Sequence, residues 1–170
     1  VLPDSPDIND QMHAATFKGL KMVFVGQNGS STADGTYTPF VEQQLSTDTH
    51  TWKVCSWHKN QQVLQLGAKS DEMGWKVYET CRKYGAIVAT AHEHTYQRTK
   101  TFSDKVINNI GSMQRMTLSN QNIADIIDTT QHPLVNGVPG NENNLLSAPG
   151  KTFVFVSGLG GNSNRNQNRC

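Results

Sequence analysis

The sequence predicts an α/β fold, a layered sheet flanked by helices, and three observations carry that reading. Four short apolar runs have the length of strands: Lys21 to Val25, Thr51 to Trp57, Ala86 to Thr90 and Thr152 to Ser157. One amphipathic run, Asp71 to Tyr84, is long enough for a helix and stops at Gly85. The two kinds of segment alternate along the chain, which is the pattern of a sheet with helical crossovers.

Each element has its own local reason. Residues 1–20 are a polar N-terminal segment. Asp4, Asp7 and Asp10 recur there at a spacing of three, but no EF-hand Gly and Glu follow them, so a solvated tail is expected. Lys21 to Val25 reads as the first buried strand. The stretch 27–35 is dense in Asn, Gly, Ser and Asp and reads as a loop. Thr38-Pro39 opens a helix that runs through Leu45, with Pro at an early position where its missing N–H costs nothing. Thr51 to Trp57 is the second strand.

In the run Asp71 to Tyr84, Met73, Val77, Cys81 and Tyr84 share one face, and Trp75 and Tyr78 widen the stripe. Acidic residues stand at its start and Arg82 and Lys83 at its end, as the helix dipole favours. Gly85 supplies the C-cap. Ala86 to Thr90 is the third strand and Thr152 to Ser157 the fourth, followed by Gly158-Leu159-Gly160-Gly161. Residues 104–150 read as an irregular, Asn-rich insertion with one helix near Gln121–Asp128, and 162–170 as a polar tail. The folded part is therefore expected within 21–161.

Composition excludes several classes. The chain has 170 residues, 17% of them charged, and a net charge of +1. Average soluble proteins carry about 25% charged residues. Asn, Gln, Ser and Thr fill the difference. No basic block provides a nucleic-acid footprint. No apolar run approaches the ~20 residues of a membrane span. The cysteines, Cys55, Cys81 and Cys170, are odd in number and widely spaced, so no CxxC motif exists. Cys55 and Cys81 are expected as buried free thiols, and Cys170 could pair with another chain. Asn28-Gly29-Ser30 is a sequon, which makes Asn28 a glycosylation candidate. Low charge, abundant Asn and Thr, and the sequon point to an extracellular, secreted location.

Chemistry concentrates in Ala91-His92-Glu93-His94-Thr95-Tyr96-Gln97-Arg98, directly after the third strand. In extended backbone, residues i and i+2 point the same way. His92 and His94 are thus expected to project together, with Glu93 facing away. Two neutral imidazoles so held suit zinc, iron or manganese. A third histidine, His58, follows the second strand in the same manner. Ligands of α/β sheets gather at the carboxyl ends of strands, so the three histidines are expected to converge.

Taken together, Trp52–His58, a helix, Ala91–Arg98 and the closing run Thr152–Gly161 resemble the C-terminal half of calcineurin-like metallophosphoesterases. The nearest branch is that of the purple acid phosphatases, whose signature is Gly-His-x-His-x-Tyr-x-Arg after a strand. Here Ala91 stands in place of the Gly. The resemblance covers residues 20–103 and 150–161, and the helix before Trp52 also fits it. It implies a metallophosphoesterase-type layered β-sandwich flanked by helices. It further implies two divalent or trivalent metal ions (Fe, Mn or Zn) that clamp a small phosphoester for hydrolysis. By resemblance His58 and His92 bind one metal and His94 the other. Tyr96 and Arg98 match positions that brace the histidine loop, and Glu93 is a surface group or one that orients a histidine.

The family's early motifs are Asp-x-His, Gly-Asp-x-x-Asp and Gly-Asn-His-Asp/Glu, and the chain is read as lacking all three. Those motifs supply carboxylate and further ligands, and the histidine that assists the leaving group. The chain alone therefore offers metal ligands but no catalytic residue. It is expected to be the C-terminal portion of a catalytic domain, completed by an upstream segment or a second chain. The start at Val1, without Met or an apolar leader, agrees with a fragment. The alternative is a non-catalytic relative, a structural or adhesive component of an extracellular assembly.

Overall fold

The structure is a computed structural model and describes residues 3–5, 11–26, 33–65, 70, 72–99, 101 and 147–160. Its strands are β1 (Pro3–Ser5), β2 (Met12–Phe17), β3 (Leu20–Val25), β4 (Trp52–Ser56), β5 (Ile87–Thr90), β6 (Tyr96–Arg98) and β7 (Val154–Ser157). A π-helical turn, Ala33–Tyr37, leads into α1 (Thr38–Leu45), and α2 spans Trp75–Tyr84. The strands form one seven-stranded mixed sheet in the order β1-β2-β3-β4-β5-β7-β6. The expected α/β character is therefore present.

The four strands read from the apolar runs are β3, β4, β5 and β7, and they form the contiguous parallel centre. The N-terminal segment is not a solvated tail: Pro3–Ser5 pairs with Met12–Phe17, which adds β2 antiparallel to β3. The connection is the two-residue turn Lys18-Gly19, with φ of 47° and 84°. Two successive positive φ values are what a tight hairpin between right-twisted strands requires. The strand was hard to read because Ala14, Ala15 and Thr16 are weakly apolar.

Register sorts the side chains onto two faces. Ala14, Val23, Cys55, Val88 and Val154 stand side by side across five strands and are buried. Val41 and Leu45 of α1 and Val77, Tyr78 and Cys81 of α2 belong to the same core. Both helices thus pack on one face, each as the crossover between parallel neighbours. On the other face lie Phe17, Leu20, Met22, Phe24, Trp52, Val54, Ile87 and Phe155, and none of these is fully buried. Trp52 is 61% exposed. Among the described residues there is no second sheet against that face.

The second helix departs from the reading of Asp71 to Tyr84. It begins at Trp75, after Gly74 in extended backbone (φ −77°, ψ 156°). Met73 is buried, and its N–H donates to Gln61 Oε1 at 3.2 Å rather than joining a helical turn. The acidic residues expected at the helix start are consequently outside its first turn. Its end agrees with expectation. Arg82 and Lys83 occupy the last turn, and Gly85 adopts φ 67°. Gly85 N–H donates to Arg82 O and Ala86 N–H to Cys81 O, the Schellman pattern.

Cys55 and Cys81 are buried free thiols, as expected. Burial, reinforced by a hydrogen bond between the two, pushes the Cys81 thiol well above its ordinary range. Asn28, Cys170, Gln121–Asp128, Gly161 and the bulk of 104–150 lie outside the described residues. Among those described, no helix is long and apolar enough to cross a membrane.

Candidate metal centre

Four parallel strands put four carboxyl ends on one edge of the sheet. His58 follows β4 by two residues and His92 follows β5 by the same interval. Because β4 and β5 are neighbours, those ends are adjacent. Their pairing continues beyond the strands: Trp57 N–H donates to Ala89 O at 3.3 Å, and Ala91 N–H donates to His58 O at 2.9 Å. The two imidazoles meet, with His92 Nδ1 and His58 Nε2 standing 3.0 Å apart. Their ring centroids are 4.8 Å apart and their planes cross at 65°.

The pair fits a metal on the chemistry of its donors. Imidazole nitrogens bind zinc at about 2.0–2.1 Å, so two of them on one ion stand about 3.0 Å apart at a right angle and about 3.4 Å apart at the tetrahedral angle. The 3.0 Å separation falls at the lower of these. In the absence of metal the same two atoms share a proton, one ring donating and the other accepting. A metal would replace that proton.

His94 departs from the expected arrangement. The backbone after Thr90 is not extended: His92 has φ 66° in the left-handed region, and residues 92–95 form a bent loop. Alternation of side chains therefore does not apply across His92, Glu93 and His94. Among the described residues no group of three or more His, Cys, Asp or Glu side chains is placed to hold one metal ion. His58 and His92 come together, whereas His94, half-buried, does not join them in one ligand set. Of the two roles expected for Glu93, a surface group is ruled out, since it is only 1% exposed.

The loop bends because of strand order. It leaves β5 and enters β6, but β7 lies between those two strands. The loop must cross over the end of β7, and it does so at Gly158. A Cβ on Gly158 would lie 1.9 Å from Glu93 O. Gly158 N–H donates to Thr95 O at 3.0 Å and closes the crossing. Tyr96 and Arg98 sit on β6, opposite Ser157 and Phe155 of β7. This antiparallel pairing anchors the far side of the loop. Tyr96 is 43% exposed.

Contrary to the reading that Asp-x-His is lacking, Asp48-Thr49-His50 has that spacing, but it lies elsewhere. It precedes β4, on the edge of the sheet opposite His58. Asp48 Oδ1 accepts from the His50 N–H at 3.0 Å, and Asp48 Oδ2 meets His50 Nδ1 at 3.0 Å. It caps the entry to β4 and contributes nothing to the histidine pair. Two features escaped the sequence reading. Gly158 was visible only as part of a glycine-rich turn. The buried Asn60 and Gln61, just after His58, resemble ordinary loop residues in sequence.

Comparison with protein-family models, with curated proteins and with solved structures finds no match to this chain.

Proposed function

We propose that this chain contributes histidine ligands to a metal-dependent phosphoester hydrolase of the calcineurin-like kind. The observation that carries the reading is the 3.0 Å approach of His58 Nε2 and His92 Nδ1 at adjacent parallel strand ends. In this reading His58 and His92 hold one metal and His94 a second, the ions being Fe, Mn or Zn. The bound metals would supply charge stabilisation for a phosphoester and an activated water. Hydrolysis breaks the ester P–O bond, adds the water oxygen to phosphorus and returns a proton to the leaving alkoxide. This chain's part is to hold the His58 and His92 imidazoles side by side, with one nitrogen of each 3.0 Å from the other.

The carboxylates that offset two metal charges come, in this reading, from an upstream segment or a second chain. The apolar face against which no second sheet lies among the described residues supports an incomplete layered sandwich, since sheets with parallel centres are ordinarily covered on both faces. The same face also suits the alternative role, a structural component of an extracellular assembly. Metal analysis and turnover of a generic aryl phosphate by the intact source protein separate the two. The hydrolase reading expects bound transition metal and activity lost in His92→Ala. No metal, together with unchanged activity in His92→Ala, sinks it.

A further inference from the structure

We propose that Tyr78 is the positioning residue of the histidine pair: its phenol clamps the chain on both sides of His58 and so sets where that imidazole stands. The proposal rests on His58 and His92 being metal ligands. The Tyr78 hydroxyl donates to Asn60 Oδ1 at 2.8 Å. The same oxygen accepts from the Gln61 N–H at 3.2 Å and from Trp57 Nε1 at 3.3 Å. One atom of α2 thereby grips the residue before His58 and the two residues that follow Lys59.

Asn60 and Gln61 spread this grip. Asn60 Nδ2 donates to Leu64 O at 3.1 Å, and Asn60 O accepts from Gln65 Nε2 at 3.3 Å. Gln61 Oε1 accepts from the Met73 N–H at 3.2 Å, which ties the loop to the entry of α2. Asn60, Gln61 and Tyr78 are 0%, 1% and 1% exposed. Buried amides are costly unless bonded, so the network favours a single arrangement of the loop. On its other side, the carbonyl of His58 accepts from Ala91 N–H, one residue before His92. The backbone of His58 is thus fixed from both directions while its ring remains exposed. A ligand held this way is preorganised, and partners that orient ligands govern metal affinity strongly.

Tyr78→Phe tests the role with little change in packing, since it keeps the edge contact with Trp57 and removes only the oxygen. Val77→Ala is the control, a buried apolar truncation on the same helix. Two readouts are taken on the full chain: Co²⁺ affinity by titration, and the imidazole NMR resonances of His58 and His92 without metal. Tyr78→Phe is expected to weaken Co²⁺ binding about tenfold and to shift both sets of resonances. Val77→Ala is expected to lower the melting temperature and leave both readouts in place. Parent-like binding and unshifted resonances in Tyr78→Phe overturn the proposal. Equal losses in Val77→Ala also overturn it, because general loosening would then account for the effect. If the parent chain and His58→Ala alike bind no Co²⁺, the ligand reading fails, and the resonances alone decide the positioning role.

Discussion

Gly158 carries no side chain because the backbone of Glu93 occupies the place where a Cβ would stand. Gly158→Ala must therefore displace the loop that bears His92. Overpacking of this kind costs about 1–3 kcal/mol, which a melting curve would register. Because the loop also sets the histidine separation, the same variant is expected to lose Co²⁺ affinity. Retention of both stability and affinity would rule out the close crossing. The thiols allow a second prediction. Cys55 and Cys81 are both 0% exposed, and burial holds the Cys81 thiol protonated. Neither is expected to react with a thiol reagent in the native chain, and both should react after unfolding. At this scale the pairing of His58 with His92 was legible, since each follows a strand by the same short interval. The position of His94 was not. It depends on a left-handed His92, which follows from a crossing that no local pattern announces.

Helix α2 works at the next scale as a strut between the sheet and the segment 147–151. Arg82 is 5% exposed and ion-paired with Glu79, and its Nη1 donates to Gly150 O at 2.8 Å. Gly85 ends the helix with φ 67°, and a Cβ there would lie 2.4 Å from the carbonyl carbon of Ala148. Gly85→Ala thus meets both a backbone penalty and a collision. It is expected to destabilise by more than the ~1 kcal/mol that glycine's conformational freedom alone accounts for. Towards α1, Lys83 Nζ and the Tyr84 hydroxyl both donate to Glu42 Oε1, at 2.7 and 2.5 Å. These contacts, Lys83 foremost, hold the Glu42 carboxyl below its ordinary range. Their contribution is present above the unfolded carboxyl pKa and is lost as pH falls through the depressed folded value. Glu42→Gln is expected to flatten the acid side of a stability–pH profile. The effect should be small and fade in high salt, because the pair is solvent-exposed. The end of α2 was legible because the basic last turn and Gly85 act locally. Its start was not, since Met73 is drawn out of the helix by Gln61 from a distant loop.

For the molecule as a whole, the decisive feature is one sheet with a face packed by two helices and a second face with no helix or sheet against it among the described residues. Runs such as Lys21 to Val25 are apolar on both sides, with Val23 and Val25 buried and Phe24 40% exposed. A strand of that composition suits a sheet covered twice. Trp52 and Trp57 provide the test, being 61% and 4% exposed. Trp52→Ser is expected to change the stability of this chain by no more than about 0.5 kcal/mol, as at surface sites. Trp57→Ala is expected to cost about 3–5 kcal/mol, as for a core aromatic. Equal costs would mean that the second face is covered. Hydrophobic spacing and turn residues act over a few positions, so strand, helix and turn identity, and the neighbourhood of His58 and His92, could be read along the chain. Strand order, the crossing at Gly158 and the grip of Tyr78 on the His58 loop join residues far apart in sequence. They arise only when burial of the apolar face against two helices brings those segments together.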